Sequence, residues 1–237
     1  AESYEGAAMA DERMIMCEIN PLAFLEADEP WASATQNKPT PEEVLRFLCP
    51  AEERFDFDIE KFLARYRQIS TEPERISVAP SEERILDKLI WPLRNAKGSF
   101  MVGNYLGTIS LSGLVAEMVA IVLWKITDVR INGRSVTNAD EKLLFGGEFE
   151  KLGQERRVSV LSAYGVIGDK ARKNFDDIRE VRNRYLHRWS EDHETLPTDG
   201  IRCFHAATSL VAGVIGQEVK EGRFMLNPRL IGYLDRQ

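Results

Sequence analysis

The chain has 237 residues, of which 43% are hydrophobic and 29% charged, and its net charge is -7 at neutral pH. This is the composition of a globular protein able to bury a core. The negative balance excludes a generally basic nucleic-acid binder, so any such contact must come from a local patch. Cys17, Cys49 and Cys203 are odd in number and far apart, and none belongs to a C-x-x-C pair. They argue against a disulfide framework or a structural zinc site, and no metal or cofactor is expected. A reducing, cytoplasmic location fits this usage. No basic region followed by an apolar run opens the sequence, as a leader peptide would require.

Residues 1–80 read as an N-terminal extension, partly irregular, with two short helices. Asn20-Pro21, Glu29-Pro30 and Lys38-Pro39 punctuate it. Thr40-Pro41-Glu42-Glu43 has the form of a helix start, and this helix stops before Pro50. A second helix is predicted over 58–69, where Ile59, Phe62, Leu63, Tyr66 and Ile69 recur at helical spacing. Thr71 to Pro80 reads as a linker.

The main body is expected over 81–225. Ser81 and the acids after it open a helix over 82–97, with Pro92 as a kink. Ile109 to Ile126 is the most apolar stretch. Ser110, Ser112, Glu117 and Lys125 interrupt it, and a carboxylate at mid-membrane is costly. A buried core helix over 105–127 is therefore predicted rather than a membrane span. Asn132-Gly133 marks a turn, and a short helix over 138–144 ends at Gly146-Gly147. Residues 149–164 continue helical except at Gly153. Long helices follow over 169–189 and 201–220, separated by a polar loop, and residues 226–237 read as a C-terminal tail. No alternating strand run is evident. The predicted fold is all-α, an antiparallel helical bundle with an N-terminal helical extension.

The helix over 169–189 carries the candidate chemistry. At about 100° per residue, Phe175, Ile178, Val181, Tyr185, Leu186 and Trp189 share one broad face. Asp176, Glu180, Asn183 and His187 lie on a polar flank. Arg182 falls inside the apolar face, where a guanidinium must find an acceptor. Glu117, the lone acid of the apolar helix, is the natural structural partner. His187 lies about 140° from Arg182 around an ideal helix, so one regular helix does not bring the two together. Between Lys170 and Arg188, seven basic residues face three acids. Such a local excess suits phosphate contacts, and equally suits a solvated helix face.

Three other features carry less. Cys203 and His205 are two apart on an apolar helix and do not face each other. His193 lies in an acidic loop where solvation outweighs metal binding. Gly103 and Gly107 match no phosphate-binding fingerprint and are expected to permit close helix packing.

Arg182-Asn183-x-x-x-His187, late in an amphipathic helix of an α-bundle, resembles the signature of HEPN domains. The wider string from Phe175 to His187 is also similar to that family. The resemblance is specific over this helix, supported loosely by the helix layout from 82 to 220, and silent on residues 1–80. It implies a metal-independent endoribonuclease acting as a homodimer, in a defence or toxin–antitoxin setting, with two motif copies meeting in one cleft. By matching position, His187 would move the proton of the RNA 2′-hydroxyl or the leaving 5′-oxygen, and Arg182 would bind the scissile phosphate. Asn183 would orient one of these groups, leaving a 2′,3′-cyclic phosphate and a 5′-hydroxyl. Arg179, Arg184 and Arg188 are the further candidates for RNA binding. If Glu117 neutralises Arg182, Arg184 or Arg188 takes the phosphate and Arg182 becomes an anchor. The resemblance also admits a non-catalytic module that binds RNA or a protein and dimerises, with a small nucleotidyltransferase as the usual antitoxin partner. A structural helical domain with an incidental motif is the third reading.

Overall fold

The computed structural model describes residues 58–71, 76, 79–188, 192, 194–216, 218–220 and 223–236. They belong to a compact unit running from Asp58 to Gln237. The expected helix start at Thr40-Pro41 lies outside the described residues. The described part is mostly helical.

The first helix, α1 (Ile59–Ile69), begins where the Asp58 carboxylate accepts from the Glu60 and Lys61 amides at 2.9 and 3.3 Å. Ile69 is fully buried, and His205 Nε2 donates to its carbonyl at 3.1 Å. The sequence assigns α1 to the extension; in the structure it packs on the main body, and the compact unit starts at Asp58 instead of Ser81.

The helix expected over 82–97 is three segments: α2 (Glu83–Ile85), a π-helical turn (Leu86–Ile90) and α3 (Trp91–Met101). Pro92 explains the arrangement. Its ring cannot donate to the carbonyl four residues earlier and clashes with it. The wider π turn lets the Trp91 amide reach back five residues to the Leu86 carbonyl. The chain stays helical through Pro92, with the π turn taking up the lost hydrogen bond.

At the centre lies α4 (Tyr105–Ile126), which packs against α3 and four later helices. Its small residues allow close approach, and Thr108, Ser112, Gly113, Ala116 and Ala120 are all buried. The Thr108 hydroxyl donates to the Ala96 carbonyl of α3 at 3.1 Å. By length and composition α4 could cross a membrane, yet five of the described helices pack on it, as a core helix requires. Gly107 serves another purpose than expected. A Cβ there would come 2.7–2.9 Å from the Asn104 side chain, whose Oδ1 accepts from the Gly107 amide and caps the helix. It admits a cap, not a neighbouring helix.

A two-residue hairpin, β1 (Arg130–Ile131) and β2 (Arg134–Ser135), turns at Asn132-Gly133, both with positive φ. Next, α5 (Asn138–Phe145) opens on a Thr137–Asp140 capping box and ends at left-handed Gly146. A 3-10 turn (Phe149–Lys151) and α6 (Gln154–Ala163) follow, broken at Gly153 as expected. Then come α7 (Asp169–His187) and α8 (Leu196–Ile215). The polar stretch before 201 misleads. Pro197 sits in the first turn of α8, which therefore starts five residues earlier than the sequence suggests. Left-handed Gly216 ends α8, and a second hairpin, β3 (Glu218–Lys220) and β4 (Arg223–Met225), replaces its expected last turn. The region expected to be a tail forms α9 (Pro228–Leu234), which buries Leu230 completely and contacts α4.

Glu141 is a buried polar anchor for this end of α4. Its carboxylate accepts from Trp124 Nε1 at 2.6 Å and from the Phe149 amide at 2.8 Å, while the Trp124 and Phe149 rings stack at 4.6 Å. Glu141→Ala leaves two buried donors without acceptors. A loss of about 2–4 kcal/mol is expected, read from urea unfolding; an unchanged midpoint would show that water replaces the carboxylate at no cost.

Candidate functional site

The motif helix α7 sorts its residues as its period requires. Phe175, Ile178, Val181 and Tyr185 are buried. Leu186, placed on the same face by the sequence, is instead 37% exposed at the helix end. Trp189 and His193 lie outside the described residues. Asn183 and His187 are exposed, and α7 is regular α-helix through His187. No distortion between Asn183 and Leu186 rotates the histidine toward Arg182. Within one copy the two remain on different sides of α7.

Arg182 reaches across to α4, where its Nη1 donates to Glu117 Oε1. The pair expected from the sequence forms. Arg157 of α6 stands on the other oxygen, with Nη1 3.9 Å from Glu117 Oε2. Arg157 is only 8% exposed and donates through Nη2 to the Glu150 carbonyl at 2.6 Å. Glu117 thus lies between two guanidiniums, and the trio keeps one positive charge. Gly113, one helical turn before Glu117, makes room for the pair. A Cβ at 113 would stand 2.8 Å from Arg182 Cδ.

Beside this trio α4, α6 and α7 enclose a cleft of about 190 Å³. Ala116, Phe175 and Ile178 contribute its apolar surface, and Gln154, Glu155, Arg179, Arg182 and Asn183 its polar one. Neither Gln154 nor Glu155 carries a signal in the sequence; they reach the cleft because Gly153 starts α6 there.

The arginines expected to bind RNA are largely engaged by carboxylates. Arg179 bonds Glu155 at 3.0 Å and Asp176 at 3.3 Å. Arg184 bonds Asp199 at 3.1 Å and Glu180 at 3.2 Å. Arg188, at the C-cap of α7, is exposed and makes no ion pair among the described residues. The positive excess read along α7 is therefore mostly cancelled by Glu117, Glu155 and Asp199, which arrive from other helices.

Asp199 fixes the end of α7 that carries His187. It is 6% exposed and accepts from the Tyr185 hydroxyl at 2.7 Å, Arg184 at 3.1 Å and Thr195 at 3.2 Å, with Arg202 Nη2 at 3.3 Å from its other oxygen. Burial, first, and the neighbouring Asp199 carboxylate push the Tyr185 phenol above its ordinary pKa. Tyr185 is therefore a neutral strut. Cys203 is fully buried, and burial pushes its thiol up to about 12. It stays protonated and unreactive, and His205 is turned to Ile69. Among the described residues no group of three or more His, Cys, Asp or Glu side chains could hold a metal ion.

No model of a known protein family matches the chain, and no curated protein or solved structure matches it.

Two glycines test the Arg182 cradle against each other. A Cβ at Gly98, inside α3, meets nothing within 4 Å. Gly98→Ala should stabilise the protein by about 0.5–1 kcal/mol through helix preference. Gly113→Ala gains the same preference but drives a methyl into Arg182, at about 1–3 kcal/mol. The expected net is a loss of about 1 kcal/mol in urea unfolding. Equal stabilisation by both would show that Arg182 is not held against Gly113.

Proposed function

We propose that the protein is a metal-independent endoribonuclease with a HEPN-type bundle, working as a cytoplasmic homodimer. The carrying observation is the regularity of α7. Arg182 is anchored on one side of the helix, while Asn183 and His187 are exposed on it. Such a motif completes a site when a second copy supplies the missing half.

An apolar stripe on α4 supports pairing of two copies. Leu114 is 41% exposed, and Met118 and Ile121, one and two turns on, are half-buried. On an ideal helix Glu117 lies about 60° from Leu114, so the stripe runs along the Arg182–Glu117 pair. A second copy laid on this stripe covers apolar surface and brings the two motifs near each other.

In this mechanism the 2′-oxygen attacks phosphorus, the bond to the 5′-oxygen breaks, and a 2′,3′-cyclic phosphate forms. His187 takes the 2′-hydroxyl proton or delivers one to the leaving 5′-oxygen, a role imidazole fills near neutral pH. Arg182 has five N–H donors. Glu117 takes one and orients the plane, and the outer N–H groups that remain can grip the phosphate as its charge grows. The net positive charge of the Arg157–Glu117–Arg182 trio favours that contact, and Asn183 orients the phosphate. Arg188 is the basic residue best disposed to follow the RNA backbone.

The neutralised Arg179 and Arg184 favour a second reading, a HEPN-like module that binds RNA or a protein partner without cutting. Labelled RNA in EDTA separates the two. Wild type should cleave, His187→Ala should lose at least about a hundredfold, and Arg182→Ala a comparable amount. Undiminished cleavage by His187→Ala would reject the mechanism, and no cleavage by wild type would leave the binding module. Light scattering at tens of micromolar should give a dimer that Leu114→Glu with Met118→Glu converts to a folded monomer without activity. A monomeric wild type that still cleaves would contradict the composite site.

A further inference from the structure

The cleft beside the motif has a chemistry that phosphate binding does not explain. Three residues lining it, Gln154, Arg179 and Arg182, each carry a side-chain N–H that is shielded from solvent and meets no acceptor among the described residues. These are Gln154 Nε2, Arg179 Nε and Arg182 Nε. Shielded donors without partners are costly, and three on one cleft point to a ligand or waters that supply acceptors.

Charge decides what kind of ligand. At the α6 end, Arg179 is already matched by Glu155 and Asp176. A phosphate there would meet two carboxylates and gain little. A neutral molecule with carbonyl oxygens satisfies the donors without displacing either acid. The Glu155 carboxylate, 74% exposed at the rim, can accept from a ring N–H. About 190 Å³ is below the roughly 300 Å³ of a drug-sized pocket and suits one heterocycle.

We propose that this cleft is a nucleobase subsite that prefers a base with a carbonyl beside a ring N–H, guanine or uracil, over adenine or cytosine. Gln154 and Arg179 donate to the carbonyl, and Glu155 accepts from the ring N–H. Arg182 lies at the boundary with the phosphate position. The inference deepens the ribonuclease reading and rests on it where the base is taken to belong to an RNA chain. A free nucleoside presents the same edge.

The test uses the full chain and two arms. In the first, guanosine, uridine, adenosine, cytidine and inorganic phosphate are titrated while the arginine Nε–Hε signals are followed by nitrogen-15 NMR. The Arg179 signal is assigned by its loss in Arg179→Lys. Guanosine or uridine should move it with an affinity at least tenfold above adenosine and cytidine, and Gln154→Ala, with its circular dichroism unchanged, should weaken that binding tenfold or more. Phosphate moving the signal as strongly as any nucleoside, or no nucleoside moving it, would overturn the base subsite. In the second arm, random-sequence RNA is incubated and its cut sites are sequenced. Enrichment of G or U beside the cut, flattened in Gln154→Ala, supports the proposal for RNA. Cutting without base preference overturns it while leaving the ribonuclease intact. Nucleoside binding with no cutting keeps the subsite and removes the ribonuclease.

Discussion

An arginine on the apolar face of a helix has to be matched, and the arrangement around α7 follows from how this chain matches Arg182. The acceptor is Glu117, on the most apolar helix of the chain. Breaking a buried pair of this kind by removing one partner costs about 3–5 kcal/mol; here, with Arg182 about one-third exposed, the cost falls below that range. The pair fits the register of α7 on α4, in which Gly113 lies beside Arg182 and leaves space for its side chain. It also shapes the candidate site. The guanidinium is oriented, Arg157 behind it prevents full neutralisation, and the exposed polar residues of the motif are left facing outward.

The helical period made part of this readable from sequence. The span of α7, its buried Phe175, Ile178, Val181 and Tyr185, and the pairing of Arg182 with Glu117 follow from apolar spacing and the cost of an unmatched charge. The angle separating Arg182 from His187 was equally legible, and α7 keeps it by staying regular to its end. The π turn before Pro92 was not. The proline signals a lost hydrogen bond, but not the form in which the preceding turn accommodates it.

Charge was the least legible property. Counting along α7 finds a basic segment, since a linear count sees only neighbours in sequence. Glu155 meets Arg179 from 24 residues away and Asp199 meets Arg184 from 15 away. Asp199 was hidden further because Pro197, Thr198 and Gly200 around it read as loop. In the fold they begin α8, and Asp199 becomes the buried acceptor that fixes the His187 end of α7. The cleft was equally hidden, because Gln154 and Glu155 gain their meaning only when α6 lies between α4 and α7. The proposed phosphate and base subsites both rest on one uneven distribution of charge: the Arg157–Glu117–Arg182 trio keeps a positive charge, while Arg179 is matched by Glu155 and Asp176.

Arg182 and Glu117 act as one unit, and a double-mutant cycle measures their coupling. Unfolding free energies are needed for wild type, Arg182→Met, Glu117→Gln and the double variant. A coupling of about 1–3 kcal/mol is expected, with the double variant closer to wild type than the sum of the single losses. Additivity within about 0.3 kcal/mol would contradict it, since the pair would then hold neither the register of α7 nor the orientation of Arg182.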